Sequence, residues 1–319
     1  MAVSVSEEHR PTVPDHEVIR LIGSGSSGQV WLAKNALETF RAVKVVRQQP
    51  FKHRQTFERE FHGILKFEPI SRLHDGLVDI LQVGINEPGR YFYYVMELAD
   101  DVVTGQNIAP ELYQPKSLAH RGNQIRRFPV AECVRHGAAI ASAVGFLHKH
   151  GLIHRDIKPS NIIFVNGVPK LADIGLLTDM SEAGSLVGTE GFIPAEGSGS
   201  VRADIYSLGK VLYEMSTGRD RNDYPALPEE LEKSEEARDV ILLNKIILKA
   251  CRARAWHRYQ TAEEMLSALL AFQFDRKMMW RNQNQRLLTR VIGITGFIIA
   301  AAVIIGLLGR IVWLLQHPR

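Results

Sequence analysis

Lys44 stands alone as a charged residue in the apolar run Ala42-Val43-Lys44-Val45, and an ammonium buried in such a strand demands an anionic partner. The helical pattern that follows, TFEREFHGILKF, offers one: Phe57, Phe61, Ile64 and Leu65 mark its apolar face, and Glu60 lies beside Phe61. Ahead of Lys44, Gly23, Gly25 and Gly28 form GSGSSG between two strand-like runs. Strands on both sides describe a hairpin lid, whereas a dinucleotide-binding turn would open a helix after its glycines. Further along, the chain reads His154-Arg155-Asp156-Ile157-Lys158-Pro159-Ser160-Asn161 and then Asp173-Ile174-Gly175. Two carboxylates, an amide and a lysine thus fall close together in sequence.

Taken with the glycine loop, Lys44 and Glu60, these strings resemble the eukaryotic-type (Hanks-type) serine/threonine protein kinase family, whose catalytic loop is HRDxKxxN and whose metal-binding motif is usually DFG. The resemblance covers roughly residues 15–272, and GFIPAEG and DIYSLGKVLYEM are most similar to bacterial, membrane-anchored members. It implies an ATP-dependent phosphotransferase that uses Mg2+, a reaction that asks for positioning and charge neutralisation more than covalent chemistry. The nucleotide-binding set it implies is Ile22, Gly23, Gly25, Gly28, Val30, Lys44 and Glu97, with Lys44 on the α- and β-phosphates and paired with Glu60. Asn161 and Asp173 would hold the magnesium ions. Asp156 would orient the acceptor hydroxyl and take its proton, and Lys158 would stabilise charge on the γ-phosphate; a lysine there favours serine or threonine acceptors.

The same resemblance gives structural parts to Arg155, Thr189, Glu196, Asp204 and Arg258. Thr189 would contact Asp156 and Lys158, Glu196 would form a buried pair with Arg258, and Asp204 would open a helix. Arg155 before Asp156 further implies pairing with an activation-segment phosphate, for which Thr178, Ser181 and Ser185 are candidates. The chain departs from the family at Ile174, where phenylalanine is usual, at Pro194-Ala195, where the order is reversed, and at Trp256 near Arg258. None of these removes a charged catalytic group. A membrane-anchored pseudokinase scaffold is the rival reading, but it would normally lack one of Lys44, Glu60, Asp156, Asn161 or Asp173. A small-molecule phosphotransferase would lack a full activation segment such as Asp173–Glu196.

The elements that must position these residues follow from periodicity. Strand-like runs at Val18–Ile22, Gln29–Lys34, Ala42–Val46 and Tyr91–Met96 surround one helical pattern, Gln55–Phe67. Helical patterns then dominate: Val130–His150, Asp204–Thr217, Val240–Arg252 and Thr261–Phe272. The fold class expected is α+β and bilobal: an N-terminal tail at 1–14, a β-rich N-lobe at 15–98 and an α-rich C-lobe at 99–272 with an irregular insertion near 101–128.

Beyond the lobes, a basic segment at 273–290 carries Arg276, Lys277, Arg281, Arg286 and Arg290, and an apolar stretch follows. The 19 residues Val291–Gly309 include one polar side chain, Thr295, and IVWLL continues the pattern after Arg310. At 1.5 Å per residue this run covers roughly 28 Å, close to the hydrocarbon core of a bilayer. A transmembrane helix over 291–315 with a short tail at 316–319 is expected, and the basic residues before it place the catalytic body in the cytoplasm. Four-residue spacing of Gly296 and Ala300, and of Ala302 and Gly306, would let a second copy pack against it as a homodimer.

With 39 basic and 35 acidic residues interspersed, the net charge of +4 gives no broad basic face for nucleic acid, and the partners expected are protein substrates and the membrane. Cys133 and Cys251 sit in apolar helical patterns and are not expected to form a disulfide.

Overall fold

The computed structural model describes residues 10–25, 28–48, 54–120, 127–179 and 187–274. The chain divides into one compact unit ending at Leu270 and a second, Ala271–Arg319. The basic segment, the membrane-spanning segment and the tail expected at 273–319 lie outside the described residues apart from 273 and 274, as do Ser181 and Ser185.

The N-lobe is an antiparallel sheet in the order β1-β2-β3-β5-β4, formed by β1 (His16–Gly25), β2 (Gly28–Asn35), β3 (Phe40–Arg47), β4 (Ile80–Asn86) and β5 (Tyr91–Met96). Side chains alternate across a strand, so one face carries Val18, Trp31, Val43, Val45, Tyr93 and Val95 into a buried cluster, while Lys44 points to the other. That other face is covered by α1 (Arg54–Ser71), whose Phe57 and Phe61 meet Phe92 edge-on at 5.0 and 5.2 Å. The helix extends past the expected Phe67 and carries Pro69 within its last turn. Strand β4 was not among the expected strands, although Leu81, Val83 and Ile85 alternate with Gln82, Gly84 and Asn86 along it. It is held by pairing with β5.

The C-lobe is built on α2 (Val130–Lys149), α3 (Val201–Thr217) and α5 (Ala237–Ala250), with the short α4 (Glu229–Glu232) and α6 (262–274). Two small two-stranded sheets flank the segments His154–Asn161 and Ala172–Leu177: β6 (Leu152–Ile153) pairs with β9 (Thr178–Asp179), and β7 (Ile162–Val165) forms a hairpin with β8 (Val168–Leu171). Among the described residues α2 is long and apolar enough to cross a bilayer, but 67% of its most apolar stretch is buried in the lobe, as expected of a core helix. It packs on α3 so closely that a Cβ on Gly137 would stand 2.7 Å from Leu212. Helix α3 starts before the expected Asp204. Ser200 caps it, accepting a hydrogen bond from Ala203 N at 3.1 Å, which sets Asp204 in the first turn.

The central role of α3 has a measurable consequence. Leu212 is fully buried, so Leu212→Ala should destabilise the protein by about 2–5 kcal/mol in denaturant unfolding. Leu37→Ala, at a side chain 83% exposed, should stay within about 0.5 kcal/mol of the parent.

Candidate active site

A cleft of about 320 Å3 separates the sheet from the C-lobe, and Ile22, Gly23, Gly25, Gly28, Val30, Lys44, Glu97, Asn161 and Asp173 all line it. Its roof is the β1–β2 hairpin. Gly28 sits at a φ of 155°, where a Cβ would come within 2.5 Å of the Val45 carbonyl oxygen, so a side chain cannot be accommodated at this end of the loop.

Beneath the roof, Lys44 Nζ lies 2.7 Å from Glu60 Oε1 and 2.8 Å from Asp173 Oδ1. The ladder brings Tyr94 opposite Lys44, and the Tyr94 hydroxyl donates to Glu60 Oε1 at 3.3 Å. Burial opposes the charge on Lys44, but Tyr94, Asp173 and Glu60 around it outweigh burial and hold the ammonium pKa well above its ordinary value. Burial pushes Glu60 up, with Lys44 acting against it. For Asp173 burial also acts upward, yet the charge and hydrogen bond of Lys44 prevail and hold the carboxyl at about 2. Asp173 is therefore ionised, and its side chain remains 39% exposed toward the cleft. Its backbone φ of 57° is in the left-handed region, a strained geometry for an aspartate that the surrounding contacts must maintain.

The catalytic loop forms the floor. Asp156 Oδ1 accepts from the Thr189 hydroxyl at 2.7 Å, and Asp156 Oδ2 lies 2.8 Å from Lys158 Nζ and accepts from Asn161 Nδ2 at 2.9 Å. Lys158 Nζ also donates to Thr189 Oγ1 at 2.9 Å. Four residues separated in sequence thus share one hydrogen-bonded cluster. Gly188, at a φ of 124°, lets this segment pass within contact of the Arg155 carbonyl.

Asp204 organises the loop from below. Its Oδ2 accepts from His154 N and its Oδ1 from Arg155 N, both at 2.9 Å, and His148 Nε2 is also 2.9 Å away. These bonds hold Arg155 at a φ of 70°. Burial and the neighbouring Arg59 guanidinium lower the Arg155 pKa, which marks two cations close together. His154 is fully buried, and its Nε2 lies 3.2 Å from the Ala172 carbonyl, next to Asp173.

Two sequence expectations need adjustment. Thr178 is only 7% exposed and pairs with Ile153 in β9, so a modifying enzyme could reach it only after that ladder opened. Glu196 does meet Arg258 in a two-pronged pair, at 2.5 and 3.1 Å, with the guanidinium fully buried, but the carboxylate is 38% exposed rather than buried. Glu97 lines the cleft, and its carboxylate accepts from Lys170 Nζ at 2.6 Å and from Asp79 N at 2.9 Å.

Sequence reading missed Tyr94, Lys170, Arg59, Tyr113 and Pro115. Tyr94 could have been found from the Lys44 register, since a cross-strand neighbour shares the face of its partner. Tyr113 and Pro115 line the cleft from the irregular insertion, where no periodic signal exists.

The donors also fit a magnesium ion. Among the described residues no group of three or more His, Cys, Asp or Glu side chains could hold a metal. Asp173 and the amide of Asn161 supply hard oxygen atoms on the cleft wall, a sparse set of the kind completed by phosphate oxygens and water in magnesium sites.

The protein kinase domain family matches residues 16–291, and the chain belongs to that family in its eukaryotic-type, or Hanks-type, form as found in bacteria. It is 30% identical to a probable serine/threonine-protein kinase of Clostridium perfringens over 80% of this chain and 38% of that protein. Identity is 29% both to the serine/threonine-protein kinase PrkC of Bacillus subtilis, over 82% of this chain and 41% of PrkC, and to PknB of Mycolicibacterium smegmatis, over 81% and 44%. The chain therefore spans about two-fifths of the length of the curated relatives it matches.

The low Asp173 pKa sets an acid limit on this site. A carboxyl held below its unfolded value of about 4 contributes stability above that pH and loses it as pH falls toward 2. Carboxyl carbon NMR should show Asp173 titrating near 2 in the parent and closer to 4 in Lys44→Met.

Proposed function

We propose that this chain is an ATP-dependent serine/threonine protein kinase tethered to a membrane by segment 291–315. The observation that carries the catalytic part is the cluster of Asp156, Lys158, Asn161 and Thr189 on the cleft floor, facing the charged set Lys44, Glu60 and Asp173. Phosphoryl transfer needs a base near the acceptor, cations on the phosphates and a donor set for Mg2+, and these residues supply each part.

In this reading the Gly23–Gly28 hairpin covers the triphosphate, and Lys44, kept charged and oriented by Glu60, binds the α- and β-phosphates. Asn161 and Asp173 hold magnesium, which neutralises phosphate charge when bound. Asp156 accepts a hydrogen bond from the incoming hydroxyl and takes its proton. Lys158, already beside Asp156, steadies charge on the transferred group. Arg155 and Arg59 form a cationic pocket for a phosphate on the activation segment, with Ser181 and Ser185 as candidate acceptors beside Thr178.

A protein substrate is supported by an open groove of about 610 Å3 that runs from Lys158 and Thr189 past Phe192 to Glu214 and Arg221. It begins beside the proposed base, since Lys158 and Thr189 both contact Asp156. The membrane tether rests on sequence: an apolar run of bilayer length preceded by basic residues, which also puts the kinase on the cytoplasmic side. Small-residue spacing within the run supports dimerisation there.

Full-length protein in detergent, incubated with radiolabelled ATP, Mg2+ and a protein acceptor, should transfer phosphate to serine or threonine. Asp156→Asn should lower the rate by at least about 100-fold. Equal labelling by parent and variant would remove Asp156 from the chemistry, and release of the chain from membranes by alkaline carbonate would remove the tether.

A further inference from the structure

The insertion after β5 is an ordered strap rather than a loose loop. Asp100 fastens its start to the C-lobe, accepting from Asn166 N and Gly167 N at 2.9 and 2.8 Å, while Asp100 N donates to Phe164 O. Its far end returns to the same hairpin through Phe164 N to Lys116 O and Leu118 N to Ile162 O. Between these anchors, Asp101 is buried and ties the strap internally. Its Oδ1 accepts from Val103 N and Thr104 N, and its Oδ2 from Gln114 N at 2.8 Å. Burial alone would raise the Asp101 pKa, but these amides outweigh it and hold the carboxyl at about 2.

The strap also reaches the other lobe. Arg20 sits between two irregularities in the β1–β2 ladder, and bulges of this kind re-aim a side chain. Its Nε donates to Pro110 O at 2.6 Å, and its Nη2 donates to Tyr113 O. Tyr113 is 2% exposed, donates its hydroxyl to Ala99 O at 3.0 Å, and lines the cleft together with Pro115 and Ile22. One guanidinium thus joins the strand that carries the glycine loop to a segment anchored on the C-lobe, beside the wall of the nucleotide cleft.

We propose that residues 101–117 form a strap along the nucleotide cleft, with Tyr113 and Pro115 as its wall and Arg20 as its latch, which retains nucleotide by resisting separation of β1 from the C-lobe. Arg20 is then a positioning residue: it touches neither phosphate nor metal and acts through the strap. The inference rests on the kinase reading above, because it assumes that the cleft holds a nucleotide.

Full-length protein in detergent, loaded with Mg2+ and a fluorescent N-methylanthraniloyl ADP, provides the test by stopped-flow release. Arg20→Ala removes charged hydrogen bonds to Pro110 and Tyr113, and release should accelerate by about tenfold. KM for ATP should rise while kcat does not fall, and Arg20→Lys, which keeps a cationic donor, should lie between. Release from Arg20→Ala within twofold of the parent would overturn the latch. Should that variant not fold, Asp101→Asn loosens the strap from within and must also speed release; an unchanged rate there overturns the proposal equally. If the parent binds no nucleotide, the kinase reading itself falls and takes the latch with it, whereas binding with unaltered release in the variants removes the latch alone.

Discussion

A buried ammonium between two carboxylates is the constraint on which the cleft depends. Lys44 is 4% exposed, and removing both carboxylates would leave its buried charge uncompensated at a cost of several kcal/mol. Glu60 from α1 and Asp173 from the C-lobe side together satisfy that charge. Glu60 belongs to α1, Lys44 to β3 and Asp173 to the segment after β8, so one cation ties together three elements that share no local sequence. Tyr94 seals the arrangement from the neighbouring strand. This is the physical reason that the placement of α1 and the position of Asp173 at the cleft are coupled.

Asp204 plays the corresponding part on the floor. Its carboxylate accepts from consecutive backbone amides of the catalytic loop, which fixes Arg155 in a conformation that an unsupported arginine would leave. Above it, the Thr189 hydroxyl bridges Lys158 and Asp156, so the activation segment and the proposed base are held in one hydrogen-bonded unit. Movement of the segment around Gly188 would loosen Asp156 directly. The Lys170–Glu97 pair and the Arg20 contacts add two further links around the cleft, one tying the segment after β5 to β8 and one tying β1 to the strap.

Much of this was legible from residue types alone. Lys44 in an apolar strand demanded Glu60, and the strings around Asp156 and Asp173 were specific enough to name a family and, through it, the contacts of Thr189 and Arg258. What the sequence did not disclose had physical causes. Strand β4 is an exception, since Leu81, Val83 and Ile85 do alternate, in a run shortened by Gly84 and closed by Asn86. The insertion is shaped by Asp100 and Asp101 accepting from backbone amides, contacts that leave no period to read. The pairing of the Glu97 carboxylate with Lys170, distant in sequence, also left no signal to read. The burial of Thr178 depends on its pairing with Ile153 in β6, and the exposure of Glu196 on how Arg258 meets it, neither of which a single segment encodes.

The most direct measurement is a crystal structure of the full chain with Mg2+ and a non-hydrolysable ATP analogue. The account requires Lys44 Nζ to contact α- or β-phosphate oxygens while still paired with Glu60, with Asp173 and Asn161 ligating magnesium and Asp156 facing the γ-phosphate. An analogue bound elsewhere, or bound in the cleft with Lys44 and Asp173 turned away from the triphosphate, would contradict it.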